Sequence, residues 1–342
     1  MSDLVLVTGL TGYIASHVTG KLLEKGYRVR GTVRNKAKGR RVLDAMAQKG
    51  IDISEVELVQ AELGSDDGWK EAVKDCRYIQ HIASPFPFEA PSDREALVPE
   101  ARAGAQRVLE NGFSAGVERV VMTSSTAAMM GQPGRGKKMT ITEQDWSDPD
   151  WKPMTAYPVS KTRAELSAWA YADAQGFRKK LVTVNPGLVF GPDPYDNGGT
   201  SLALIRDMMN GNLPAIPKIA FPISDVRDVA SLHVAAMTAK GVGGRRLIGA
   251  GNTLWFKEIV AILRAEYPAA KLPKSELPNF ALRLISIFDD RVKGILPDLG
   301  IFHDVDAAYV TSLTGVVPRP AKESVLAAAR DLVALGAVEL EG

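Results

Sequence analysis

Apolar positions along this chain alternate between two rhythms. Leu4-Val-Leu-Val-Thr8 is a short unbroken apolar run, and the residues from about 12 to 25 then repeat at helical spacing. Tyr27 to Val33 alternates as a second strand, and Lys36 to Gln48 returns to the helical period. Val56 to Ala61 reads as a strand, Asp67 to Lys74 as a short helix, and Tyr78 to Ala83 as another strand. A long helical stretch over 93–115 precedes Arg119-Val-Val-Met-Thr123, again a buried-strand pattern. Strands this uniformly apolar are covered on both faces. Their alternation with helices predicts a doubly wound parallel α/β sheet.

A polar, glycine-rich stretch follows at 131–138, and a helix is predicted over 157–175, with Val159, Leu166, Trp169 and Ala170 on its period. Pro158 is tolerated only in a first helical turn, so Tyr157 stands near the helix start. Leu181 to Asn185 is the next strand. Beyond Gly191-Pro192 the pattern shortens, with helices expected near 202–210, 226–239, 256–267 and 322–335. The division expected is a nucleotide-binding domain over 1–190 and a smaller, mainly substrate-binding lobe over 191–342. Some segments of that lobe should return to the first domain.

Composition narrows the function classes. The 342 residues are 45% hydrophobic and 24% charged, and 42 basic residues against 40 acidic give a net charge of +2. That balance supplies no electrostatic case for nucleic acid or an anionic membrane. The single cysteine, Cys76, excludes an intramolecular disulfide and cysteine-type zinc clusters. The four histidines (His17, His81, His233, His303) show no ligand spacing, so each is read as structural and no metal is expected. No apolar run approaches a membrane span, and Asp3 leads directly into a strand without a signal-peptide pattern. A soluble cytoplasmic protein is the expectation.

Between the first strand and the first helix stands Thr8-Gly9-Leu10-Thr11-Gly12-Tyr13-Ile14-Ala15. Gly9 permits a tight turn, Gly12 lets backbone approach a pyrophosphate at the helix N-terminus, and Ala15 keeps the helix close to the sheet. In that strand–turn–helix context the glycines mark a Rossmann dinucleotide site rather than a plain turn. In NAD-binding versions an acid roughly 20 residues on takes the ribose hydroxyls. Here the second strand ends Gly31-Thr32-Val33-Arg34-Asn35, with no carboxylate. Arg34 is placed to meet a 2′-phosphate, and Lys38 adds a positive charge one turn later; the plain alternative for both is exposure to solvent. NADP(H) is the expected cofactor. Glu62-Leu63, after the third strand, is placed for an adenine contact, the alternative for Glu62 being a water-facing carboxylate.

Tyr157-Pro158-Val159-Ser160-Lys161 carries the chemistry. Residues four apart share a helix face, and a cation beside a phenol that ordinarily ionises near pH ~10 favours the phenolate. Such a pair moves protons near neutral pH, although alone it equally suits a solvated helix face. Upstream, the fifth strand ends Thr123-Ser124-Ser125-Thr126. Hydroxyl residues there are often turn groups, but strand C-terminal ends form the crevice of an open parallel sheet.

Taken together these motifs resemble the extended short-chain dehydrogenases/reductases, in particular the dihydroflavonol reductase, cinnamoyl-CoA reductase and methylglyoxal/ketone reductase group. The matching stretches are the Thr8–Ala15 turn, Thr32-Val33-Arg34, His81-Ile-Ala-Ser84-Pro85-Phe86, Arg119 to Ser125 and Tyr157 to Lys161. Val184 to Pro192 and Asp225-Val-Arg-Asp228-Val-Ala230 complete them, so the resemblance covers residues 4 to about 230 and is loose beyond. It implies Ser125 rather than Ser124 as catalytic serine, Tyr157 as general acid, and Lys161 as its partner and a ligand of the nicotinamide ribose. It also implies Ala83, Ser84, Pro186, Leu188 and Val189 around the nicotinamide, Ser201 at a cofactor phosphate, and a monomer or homodimer. Two departures stand out: Glu62 replaces the usual aspartate before leucine, and Phe221-Pro-Ile-Ser224 replaces a Tyr-Val or Phe-Val pair.

The implied reaction is NADPH-dependent, reversible reduction of an aldehyde or ketone. Phe86, Phe88, Met129, Met130 and Tyr195 are candidate pocket residues, the alternative being core packing. If they line the site, the substrate is a hydrophobic or aromatic small-molecule carbonyl. Two rivals share the fold. A sugar-nucleotide epimerase or dehydratase would hold NAD tightly, which Arg34 and the apolar Phe86-Pro87-Phe88 argue against. A non-catalytic nucleotide-sensing regulator would dispense with the tyrosine and lysine.

Overall fold

A computed structural model describes residues 2–84, 91, 93–134, 136–195, 198–287 and 290–340. The first half runs β1 (Leu4–Val7), α1 (Tyr13–Glu24), β2 (Arg28–Val33), α2 (Lys36–Gln48), β3 (Val56–Gln60), α3 (Trp69–Val73), β4 (Tyr78–His81), α4 (Val98–Ser114) and β5 (Arg119–Thr123). Next come α5 (Ala127–Met130), β6 (Lys138–Ile141), α6 (Ala156–Ala174), β7 (Leu181–Asn185), β8 (Leu188–Phe190), α7 (Thr200–Met209), β9 (Ala220–Asp225) and α8 (Val226–Thr238). The chain ends through β10 (Arg246–Ile248), β11 (Thr253–Trp255), α9 (Phe256–Glu266), α10 (Asn279–Ile285), α11 (Asp290–Ile295), β12 (Phe302–Val305), α12 (Ala308–Thr314) and α13 (Ala321–Ala334).

Seven parallel strands form the central sheet in the order β10-β7-β5-β4-β1-β2-β3. The period-2 geometry of β1 explains why its sequence is apolar throughout. Val5 and Val7 join the cluster beneath α1, α2 and α8, while Leu4 and Leu6 join the one beneath α3, α4 and α6. The strand order reverses between β1 and β4, and the crevice at the strand C-termini opens there, where the doubly wound arrangement puts its ligand.

Residues beyond 190 divide their contacts. β10 supplies the seventh strand beside β7, and α8 packs against α1 on the sheet face. Most of the others, with Phe190 of β8, build a separate apolar cluster from Leu202, Ile205, Met208, Ile223, Ile259, Leu263 and Val325. Two small sheets, β11-β9-β8 and β12-β6, carry this part against the strand ends. The expected helix over 93–115 begins only at Val98, and Lys138–Ile141 is a strand rather than the end of a polar loop. β6 escapes a local reading because β12, more than 150 residues later, is what pairs it.

Candidate active site

The crevice begins at the glycine turn. Gly9 has φ +66°, and a Cβ on it would lie 3.0 Å from the Ala83 Cβ. Any side chain there would meet both backbone strain and the β4 loop. Gly9 N donates to Thr32 Oγ1 at 2.9 Å, and Gly12 N to Gly9 O at 2.9 Å, which closes the turn. Gly12 is the N-cap of α1 without a side-chain cap, so the helix presents unsatisfied N–H groups toward the cleft. That is the surface an anionic pyrophosphate fits. A second uncapped helix start, Gly199 before α7, carries Thr200 and Ser201 to the same cleft.

At the far end, β2 delivers Arg34, an exposed cation that lines the cleft. Among the described residues its side chain makes no ion pair. Its neighbour Asn35 caps α2 by accepting from Lys38 N at 3.0 Å. The cleft measures about 1190 Å³ and runs from Arg34 past Glu62 and Leu63 to Ser125, Tyr157 and Lys161.

The reactive end is built by two elements. β5 ends at Thr123, and the next two serines turn in different directions. Ser124 Oγ donates to the Glu165 carboxylate at 2.5 Å, behind the site. Ser125 Oγ accepts from Ala127 N at 3.1 Å and is hydrogen-bonded to the Tyr157 phenol. α6 starts at Ala156, so Tyr157 and Lys161 occupy its first two turns on one face. Lys161 Nζ lies 5.8 Å from the centroid of the Tyr157 ring and donates to Ser84 Oγ at 3.1 Å.

Both groups sit deep in the cleft, reachable by solvent yet surrounded by protein. Burial raises the Tyr157 pKa, while the Ser125 hydrogen bond draws it back down. The sequence expectation of a lowered phenol is therefore corrected for this structure: the net shift is upward. The ammonium is turned toward Ser84, and desolvation of the ring dominates. The lysine is the group that moves into the neutral range: burial brings Lys161 down to about 8, and the Glu165 carboxylate opposes the fall.

Of the remaining expected residues, Thr11, Tyr13, Ile14, Ala83, Ser84, Pro186, Leu188, Val189 and Met130 line the cleft. Several others do not. Thr8 is fully buried, and its hydroxyl accepts from Ile82 N and Ala83 N, tying β1 to the end of β4 instead of facing a cofactor. Lys38 is exposed on α2 away from the cleft lining. Met129 is buried with Ile141, Ile248 and Ala250, while Met130 packs on the rim of the same cluster and reaches the cleft. Tyr195 packs on the α1 side, its ring 5.8 Å from that of His17. Phe86 and Phe88 lie outside the described residues.

Three of the four histidines bond to structure: His17 with Pro192 O, His81 with Thr8, and His233 with Gln80 and Thr123. Sequence reasoning missed much of the substrate end: Trp151, Met154, Thr155, Gly294, Pro297 and Asp298. Thr155 and Gly294 face each other, since a Cβ on Gly294 would lie 3.4 Å from Thr155 Cγ2. No motif marks such residues, because they come from loops and a short helix that meet only in the fold. Phe221-Pro222, noted as a departure, does form part of this wall.

Comparison with known proteins identifies the family. Residues 5–249 match the NAD dependent epimerase/dehydratase family. A ketoreductase of Aspergillus niger is 33% identical over 297 residues, covering 80% of this chain and 86% of that protein. A cinnamoyl-CoA reductase of Medicago truncatula is 33% identical over 279 residues, covering 80% and 84%. Among solved structures, the yeast methylglyoxal/isovaleraldehyde reductase complexed with NADPH superposes with a TM-score of 0.80 at 26% identity, covering 98% of this chain and 100% of that one. The chain belongs to the NAD dependent epimerase/dehydratase family, within its extended short-chain dehydrogenase/reductase group.

Proposed function

We propose that this chain reduces a hydrophobic or aromatic aldehyde or ketone to the alcohol, reversibly, with NADPH as hydride donor and Tyr157 as general acid. That it is an oxidoreductase using NADP(H) rests on its reductase relatives and the NADPH-bound neighbour. The observation carrying the rest is one cleft that joins an uncapped glycine-turn helix, Arg34, and the Ser125–Tyr157–Lys161 cluster. The chain's residues fit the cofactor in detail. The glycine turn is closed so tightly that a Cβ on Gly9 or Gly12 would press on Ala83 or on the Gly9 carbonyl, and Arg34, without an ion pair among the described residues, offers its guanidinium where a 2′-phosphate would lie. Lys161, next to Ser84, is the candidate for the ribose hydroxyls of the nicotinamide half.

When bound, NADPH supplies the hydride. The protein's part is orientation and charge. Ser125 and Tyr157 hydroxyls donate to the carbonyl oxygen, and their hydrogen bonds strengthen as negative charge develops there. Burial holds Tyr157 protonated before reaction, which suits a group that must give up its proton. The phenolate left behind forms beside the Lys161 ammonium, which stabilises it at that moment. Met130, Trp151, Met154 and Phe221 make the substrate end largely apolar.

Turnover of NADPH against a panel of aldehydes, ketones, flavanonols and acyl-CoA esters tests the reading. Cofactor binding without turnover of any carbonyl would favour the nucleotide-sensing alternative, and a tightly held NAD in the purified protein would favour the epimerase/dehydratase one. Arg34→Ala should raise KM for NADPH about 10–100-fold, the loss of charge-assisted hydrogen bonds of roughly 1.5–3 kcal/mol. KM for NADH should stay near its original value. Equal changes for both cofactors would remove Arg34 from phosphate recognition.

A further inference from the structure

Directly behind the reactive cluster lies a buried carboxylate that the mechanism above does not use. Glu165 is one helical turn beyond Lys161 on α6 and is wholly shielded from solvent. Its Oε1 accepts from Trp169 Nε1 at 3.2 Å, Thr183 Oγ1 at 2.9 Å and Arg246 Nε at 2.7 Å. Its Oε2 accepts from Ser124 Oγ at 2.5 Å, Asn185 Nδ2 at 2.9 Å and Arg246 Nη2 at 3.1 Å. Six donors from α6, β7, β10 and the end of β5 converge on two oxygens.

Arg246 reaches the other way as well. Its guanidinium stacks 3.6 Å from the Trp146 ring and donates to the carbonyls of Ala128, Glu143 and Asp145. Asn185 Nδ2 also donates to Ser125 O at 3.2 Å. The network therefore grips the backbone on both sides of Ser125. Lys161 and Glu165 further line one small cavity of about 20 Å³ with Ser84 and Ser124.

We infer that Glu165, clamped by Arg246, is a positioning residue for the reaction: it fixes Ser125 against α6 and sets a permanent negative charge facing Lys161 from behind. The inference rests on the carbonyl-reductase reading. A buried ion pair by itself says little about stability, since apolar replacements of equal volume often serve as well. This one is unusual in what it touches: the serine before Ser125, the carbonyl of Ser125 and the helix carrying Tyr157 and Lys161. Among the described residues the other groups hydrogen-bonded to the carboxylate are neutral, so Arg246 is the charge bonded to it, and Arg246 holds the Glu165 carboxyl in its ionised form against the cost of burial. The same carboxylate works against the desolvation of Lys161.

The test compares Glu165→Gln with the double variant Glu165→Gln, Arg246→Met, using NADPH and a carbonyl that the native protein turns over. Glu165→Gln strands the guanidinium and should lower Tm. The double variant removes both charges and should recover much of that loss. In both, kcat should fall about tenfold, with NADPH Kd and carbonyl KM within about threefold of native. The alkaline limb of kcat/KM should move down by about one pH unit, the size expected when a nearby opposite charge is removed. Should the single variant not fold, the double variant decides. A folded double variant with native kcat and an unmoved limb would overturn the inference. So would a loss of kcat that follows Tm while the limb stays in place, because that is simple destabilisation. Absence of turnover by the native protein on the whole panel would count instead against the reaction assigned above.

Discussion

Tyr157→Phe is expected to cut kcat for carbonyl reduction by about 10²- to 10⁴-fold, the range typical of a lost general acid, while NADPH binds as before. The phenol is hydrogen-bonded to the Ser125 hydroxyl, and phenylalanine keeps the ring and the packing but removes the proton. Ser125 would still polarise the carbonyl, so residual activity should survive. Because the ring borders the cleft rather than a core cluster, Tm should change little. Steady-state turnover with NADPH, alongside cofactor affinity from NADPH fluorescence, measures the split. Near-native turnover would exclude Tyr157 as the acid.

Lys161→Met should impair both parameters: kcat by about 10²-fold through lost electrostatic stabilisation, and NADPH affinity through the lost donor beside Ser84. Its pH signature is the sharper test. Burial brings the native Lys161 down to about 8, so the ammonium is present below that pH and is lost as pH rises through it. Carbonyl reduction should therefore decline above about pH 8 in the native protein. Lys161→Met should be slow throughout and lack that limb. A native profile flat across pH 7 to 9 would show that the charge of Lys161 does not govern the rate.

Most of the nucleotide end was legible in the sequence because its parts are local, although Thr8 and Lys38, read with it, fall outside the cleft lining. A glycine turn between strand and helix, and Arg34 where an acid would otherwise stand, need only their neighbours in the chain to be read. Tyr157 and Lys161 share that property through helical spacing. The choice between Ser124 and Ser125 came from the family resemblance and not from local pattern: adjacent in sequence, they part in the fold because Glu165 captures the first and Tyr157 meets the second. Met129 and Met130 show the same limit, since one residue along a helix is a rotation of about 100°, enough to turn a wall residue into a core one. The direction of the Tyr157 shift was read wrongly, because proximity of a cation is visible in spacing and burial is not. Trp151, Thr155 and Asp298 had no signal at all; they reach the cleft from connections whose course is set by the late strand pairs.

The return of β10 to the central sheet has a consequence for how the molecule is made. Synthesis of residues 1–190 produces six of the seven strands, yet leaves β7 as an open edge and the Glu165 carboxylate without its guanidinium. An open edge invites pairing with other chains, and an unpaired buried charge opposes compaction. The ribosome must travel some 60 residues past Asn185 before Arg246 can close both. The surroundings of the reactive cluster thus cannot be completed before Arg246 is made, although every residue that would do its chemistry was translated well before.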